Sequence, residues 1–132
     1  LAGALVIDDT YNANQGSVMA AIDTLAELPG ERMLILGDLG ELGVDAESIH
    51  YALGQYAAEQ KIDRFFAVGD LCKEAVQGYQ TSGGELVAHF ADKDSLLKAM
   101  EPLLHSDLKI LVKGSRSAGM ESVVAGLTVG DK

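Results

Sequence analysis

The chain has 132 residues, 48% apolar and 23% charged, which fits one globular domain and excludes a disordered polyelectrolyte. Ten Lys and Arg against twenty Asp and Glu leave a formal charge of −10, which argues against non-specific nucleic-acid binding and against docking on an anionic membrane. The single cysteine, Cys72, excludes an intramolecular disulfide framework and suits a reducing cytosol. No run approaches the roughly 18 apolar residues of a membrane span, and no basic-then-apolar leader opens the chain. The first residue is Leu1 rather than Met, so the sequence reads as a piece of something longer.

Apolar runs and helical patterns alternate from end to end. Ala4 to Ile7 reads as a short strand buried on both faces, with Asp8 and Asp9 at its carboxyl end and a polar loop carrying Tyr11, Asn12 and Asn14 beyond. Ser17 caps a helix running to Leu28, in which Val18, Ala21, Ile22, Leu25 and Leu28 recur at helical spacing until Pro29-Gly30 stops it. Arg32 to Leu36 is the second strand and ends in Gly37-Asp38. A helix from Ala46 to Gln60 then turns Ile49, Leu53, Tyr56 and Ala57 inward. Phe65 to Val68 is the third strand, followed by Gly69-Asp70 and a helix from Leu71 to Tyr79. Leu86 to Phe90 is a shorter strand. Asp92 caps a helix with Leu96, Leu97, Met100, Leu103 and Leu104 on its apolar face, and Pro102 ends or bends it. Leu108 to Lys113 is the final strand, and a helix from Met120 to Leu127 closes the series. These βα units of roughly 25 residues predict an α/β, doubly wound, Rossmann-like sheet. It should have about five to six mainly parallel strands, helices on both faces and right-handed connections, in one domain over residues 1–132.

Three polar clusters fall at strand carboxyl ends, where open parallel sheets bind their ligands. The first, Asp8 to Asn14, gathers two carboxylates and two carboxamides suited to ribose hydroxyls, a purine edge or a metal. It serves equally as a plain loop leading into a helix cap. The second, Lys113-Gly-Ser-Arg-Ser117, holds two of only ten basic residues just before a helix. Gly114 lets the backbone approach a ligand, the hydroxyls and helix amides offer donors, and Arg116 can grip a carboxylate or phosphate bidentately. The bland alternative is a surface loop in which Lys113 pairs with Asp8 or Asp9. The third, Gly37-Asp-Leu-Gly-Glu-Leu-Gly43, is as compatible with an ordinary glycine-rich loop as with a role.

Other signatures are absent. No G-x-x-x-x-G-K-[ST] loop occurs, and the glycines at 37, 40 and 43 are not spaced as G-x-G-x-x-G. Ser115-Arg-Ser117-Ala-Gly119 lacks the first glycine of a nucleophile elbow, and one cysteine with three scattered histidines gives no zinc spacing. His50 reads as structural, Cys72 as core and Asp70 as a helix cap; His89 and His105 carry no signal. One arrangement that these residues invite is a phosphoacceptor receiver, with Asp8 and Asp9 as the acidic pair, Asp70 as the phosphorylated residue and Lys113 after the last strand. It fits poorly, since no Met-Pro follows Asp70, Lys113 precedes Gly, and the Asn-rich loop has no purpose there.

The other reading is a resemblance that covers nearly the whole chain. Asp-Asp-Thr-Tyr-Asn-Ala-Asn (8 to 14), Ala-Ala-Ile-Asp-Thr-Leu-Ala (20 to 26), Leu-Gly-Asp-Leu-Gly-Glu-Leu-Gly (36 to 43), His-Phe-Ala-Asp-Lys (89 to 93) and Leu-Val-Lys-Gly-Ser-Arg-Ser-Ala-Gly-Met-Glu (111 to 121) resemble the C-terminal domain of the Mur ligases. Within that family they are most similar to members that add D-Ala-D-Ala to a UDP-N-acetylmuramoyl-tripeptide. Gln15 departs from the Pro that many members carry there, which touches loop rigidity and spares the polar residues.

The resemblance implies a cytoplasmic, three-domain enzyme of peptidoglycan synthesis. It would use ATP and Mg²⁺ to activate the tripeptide carboxylate as an acyl phosphate, which the dipeptide amine then attacks. The phosphate loop, the metal ligands and most of the UDP-sugar site would lie in the two preceding domains. This domain would close over the nucleotide and help bind the dipeptide. By the same resemblance Asp9, Tyr11, Asn12 and Asn14 would meet the nucleotide. Lys113, Ser115 and Arg116 would meet the transferring phosphoryl group or the dipeptide carboxylate, with Lys113 and Arg116 as the catalytic cations. Asp38 and Glu41 would accept the dipeptide's ammonium group. The resemblance implies no metal ligand in this chain, no nucleic-acid or membrane partner, a monomer, and a fragment that folds but does not catalyse alone.

Overall fold

Alternation along the strands sorts the apolar residues into two cores, one on each side of a single sheet. The computed structural model describes residues 5–8, 14–40, 42–114 and 118–129. Its strands are β1 (Leu5–Asp8), β2 (Glu31–Gly37), β3 (Arg64–Val68), β4 (Val87–Phe90) and β5 (Leu108–Lys113). The helices are α1 (Gln15–Ala26), α2 (Ala46–Glu59), α3 (Cys72–Thr81), α4 (Lys93–Met100) and α5 (Glu121–Val129). In β2, Leu34 and Leu36 join Phe65, Ala67 and Leu111 beneath α1, α2 and α3. Met33 and Ile35 face the other way and join Phe66, Val68, Leu108, Ile110 and Val112 against α4 and α5. Strands covered on both sides need apolar residues at every position. That is why residues 33–36 of β2 and 110–112 of β5 are apolar without a break.

All strand pairs are parallel, in the order β1-β5-β2-β3-β4. The helices that follow β1, β2 and β3 cover one face, and those that follow β4 and β5 cover the other. β5 thus stands between two strands whose chains leave toward the opposite face. Such a reversal opens a crevice at the carboxyl ends, and the crevice sits over β1, β5 and β2.

Local details follow from side-chain chemistry. α1 begins two residues earlier than the sequence pattern predicts, because Asn14 rather than Ser17 is its cap. The Asn14 carboxamide oxygen accepts the Ser17 amide and the Ser17 hydroxyl accepts the Asn14 amide, both at 2.9 Å, a reciprocal capping box. Pro102 ends α4 at Met100 and leaves a short 3-10 turn, Glu101–Leu103. α2 and α3 meet backbone to backbone at Gly54 and Gly78. A Cβ on Gly54 would lie 1.8 Å from the Ala75 carbonyl oxygen, and one on Gly78 would lie 2.0 Å from that of Tyr51.

Candidate functional site

Strand register decides which of the polar clusters meet. Asp8 of β1 pairs with Val112 of β5, and Leu36 of β2 pairs with Lys113. The ends of β1 and β5 and the Gly37-Asp38 step therefore lie side by side on adjacent strands. Lys113 shares the face of Leu111, toward α1, α2 and α3, and it is fully buried at 0% exposure. An ammonium in that position needs compensation, and Lys113 is held by an interaction there. Beside it, β2 and β5 leave no room for side chains at Gly37 and Gly114. A Cβ on either would come within 2.5 Å of Met120, and one on Gly114 within 3.3 Å of the Gly37 Cα.

Asp38 is fixed from two sides. Its carboxylate accepts the Cys72 amide at 3.0 Å and the Leu71 amide at 3.3 Å, so it caps α3 from another strand. Gly69 makes this possible. Its φ of +113° suits glycine, and a Cβ there would stand 2.4 Å from Asp38 Oδ1. Asp70 is not the cap that the sequence suggests; its side chain is 98% exposed and lies 3.8 Å from Lys73. His50, fully buried, accepts the Leu39 amide at Nε2 (3.1 Å) and donates from Nδ1 to the Ala46 carbonyl (2.7 Å). Those two partners fix one neutral tautomer and a structural role, although His50 sits deeper on the inward face than its spacing predicts.

Asp38, His50 and Cys72 bring ligand atoms within 4.8 Å of one another, a spacing that a metal ion could bridge. Burial first, and then the Asp38 charge, lifts the Cys72 thiol well above its ordinary value, and its sulfur donates to the Leu36 carbonyl at 3.5 Å. The His50 nitrogens and the Asp38 oxygens are engaged with backbone groups. A protonated thiol and an imidazole are also poor partners for Mg²⁺, which prefers oxygen ligands in an octahedron. This trio does not fit Mg²⁺.

One residue the sequence reading left without a task enters this region. Lys93 begins α4, and its Nζ donates to the carbonyls of Ala118 (2.8 Å) and Gly119 (3.2 Å). Together with Asp38, Val68, Gly69 and Ala118 it lines a cavity of about 230 Å³. Two neighbours in its motif also carry structure. His89 Nε2 donates to the Gly69 carbonyl at 2.6 Å, and Asp92 caps α4 through the Ser95 amide at 2.7 Å. That amide bond, more than anything else, holds the Asp92 carboxyl below its ordinary value. The signal available in sequence was the His-Phe-Ala-Asp-Lys motif itself (89 to 93).

Of the expected site residues, Lys113, Asp38 and Asn14 are described, whereas Asp9, Tyr11, Asn12, Glu41, Ser115 and Arg116 lie outside the described residues. The receiver arrangement fails on topology. Asp70 follows β3, and β5 and β2 both stand between β3 and β1. Three strand spacings of about 4.8 Å separate Asp8 from that position, too far for an acidic pair and a phosphorylated Asp to share one ion.

Comparison with known proteins agrees with this geometry. Residues 1–116 match the Mur ligase, glutamate ligase domain. The UDP-N-acetylmuramoyl-tripeptide–D-alanyl-D-alanine ligase of Escherichia coli is 44% identical over 125 residues, which are 93% of this chain and 26% of that protein. A crystal structure of MurF from Acinetobacter baumannii superposes with a TM-score of 0.87 at 34% identity, covering 98% of this chain and 29% of that one. The MurF ligase of Thermotoga maritima, crystallised with ADP, shares the fold with a TM-score of 0.81 at 22% identity, over 94% of this chain and 28% of that one. The chain thus spans about a quarter of the length of the relatives it matches. With a sheet, a motif set and a family match that coincide, this chain belongs to the Mur ligase family, as its C-terminal domain.

Proposed function

We propose that this chain is the C-terminal domain of a cytoplasmic ATP-dependent ligase that joins D-Ala-D-Ala to a UDP-N-acetylmuramoyl-tripeptide in peptidoglycan synthesis. The observation that carries the reading is Lys113, a fully buried cation at the end of β5, the strand between β1 and β2, and so between the first and third polar clusters. ATP supplies the phosphoryl group that activates the tripeptide carboxylate, and the dipeptide amine then forms the amide as phosphate departs. Lys113 and Arg116 stabilise the charge on the transferring phosphoryl group, where most of the catalytic effect of such reactions resides. Asp9, Tyr11, Asn12 and Asn14 hold the nucleotide, and Ser115 binds alongside Arg116. Asp38 and Glu41 accept the ammonium of the dipeptide. The Asp38 carboxylate retains lone pairs beyond the two amides that it already accepts. The tripeptide nucleotide and Mg²⁺ bind mainly through the rest of the ligase. No helix among the described residues is long and apolar enough to cross a membrane.

The test uses the full-length ligase with ATP, the UDP-tripeptide and D-Ala-D-Ala, and follows the extended product by mass. An ATP-dependent gain of the dipeptide is expected, and its absence overturns the reading. Arg116→Ala should lower kcat by about a hundredfold or more with unchanged thermal unfolding; near-normal turnover removes Arg116 from the site.

A further inference from the structure

We propose that the cavity between Asp38 and Lys93 seats the incoming dipeptide, with Lys93 binding its terminal carboxylate; this rests on the ligase reading above. Lys93 is unusual among the cations of this chain. Arg32, Arg64 and Lys109, the other partly buried ones described, lie 3.3, 3.3 and 3.8 Å from the carboxylates of Asp63, Glu31 and Asp107. Among the described residues no carboxylate comes within ion-pair distance of Lys93, in a chain with twice as many acids as bases. Its Nζ places two of three N–H donors on the carbonyls of Ala118 and Gly119, which aims the head group and leaves one donor over. The approach is built in, since Gly119 has φ +64° and a Cβ there would stand 2.8 Å from that nitrogen.

The cavity tells what the third donor meets. At about 230 Å³ it is smaller than the roughly 300–1,000 Å³ of drug-sized sites, so its occupant is small. Among the described residues its walls carry one anion, Asp38, and one cation, Lys93, beside Val68, Gly69 and Ala118. Asp38 disfavours a polyanionic phosphate in the same space, whereas a short zwitterion with small side chains is complementary to both charges. D-Ala-D-Ala is such a molecule. Lys93 then sets specificity for a free carboxylate at the far end of the acceptor, away from the amine that reacts.

The experiment crosses a change in the enzyme with a change in the substrate, in the full-length ligase. Wild type, Lys93→Met and Lys93→Gln are assayed with D-Ala-D-Ala and with D-alanyl-D-alaninamide, which lacks the carboxylate. For D-Ala-D-Ala both variants should raise KM about ten- to a hundredfold while KM for ATP stays within about twofold. For the amide, wild type should already show the raised KM and the variants should add less than about twofold. Lys93→Gln keeps a donor for the two carbonyls without the charge, so it gives the answer if Lys93→Met folds badly. Equal losses on both dipeptides would make Lys93 a mere strut and overturn the proposal. A wild type that ligates neither dipeptide would overturn the ligase reading itself, and this proposal with it.

Discussion

Replacing Gly54 by Ala tests how the α2–α3 layer is built. The new methyl would meet the Ala75 carbonyl oxygen at 1.8 Å, against the 3.4 Å of ordinary contact, so the helices must part by on the order of 1.5 Å. Overpacking of that kind costs about 3 kcal/mol, and the helix propensity of Ala over Gly returns about 1. A net loss of about 2 kcal/mol should lower Tm by about 6–10 °C in calorimetry or circular dichroism. Gly78→Ala should behave alike, because its methyl would meet the Tyr51 carbonyl oxygen at 2.0 Å across the same crossing. The double variant is the sharper assay. One separation relieves both clashes, so the combined loss should fall short of the sum by more than about 0.5 kcal/mol. Gly16→Ala is the control. Its methyl would lie 3.5 Å from Asn14 Oδ1 in an exposed first turn, and it should raise Tm by a few degrees. A Gly54→Ala protein as stable as its parent, or strict additivity in the pair, would refute the backbone-to-backbone account.

Three further perturbations address the site and the core. Asp38→Ala should destabilise by about 2–3 kcal/mol through loss of two amide partners at α3, and Asp38→Asn by less, as urea unfolding would report; equal stability in all three proteins would deny the cap. Asn14→Ala should cost about 1 kcal/mol and Asn14→Ser far less. If the serine variant also keeps its KM for ATP, Asn14 is a cap alone. Burial lifts the Tyr79 hydroxyl to about 12, and the group donates to the Ile62 carbonyl at 2.5 Å. The folded state therefore holds this proton more tightly than the unfolded one. The resulting stability is complete below pH 10 and is lost as pH rises toward 12. Alkaline absorbance titration should show a late tyrosine that Tyr79→Phe removes.

The elements were legible where local chemistry is sufficient. Apolar runs mark the strands, and every one of the five appears within two residues of its expected bounds, but β1, read as buried on both faces, is an edge strand with Leu5 48% exposed. Asp92 was readable as a cap because its partner, Ser95, is three residues away. The Asp38 cap was not, because its partners, Leu71 and Cys72, lie a whole βα unit further along the chain. The same is true of Lys93, which reaches Ala118 and Gly119 from another helix. His50 was read correctly as structural, but its depth follows from the Leu39 amide, which no periodicity registers. Strand order was the feature that the sequence hid most completely. Spacing alone left the receiver open, and only the insertion of β5 and β2 between β1 and β3 removes it.

That insertion also sets a timetable for the nascent chain. β2, β3 and β4 are sheet neighbours and can pair as they leave the ribosome, whereas β1 has β5 as its one neighbour in the sheet. Leu5 must wait for Lys109, nearly the whole domain later, and pairing over such separations is slow. The first strand of this domain is therefore among the last to find its place. The crevice exists only when β5 threads between β1 and β2 and brings Lys113 with it. A polypeptide that stops short of this strand carries Asp38 and Lys93 but neither Lys113 nor the crevice that β5 completes.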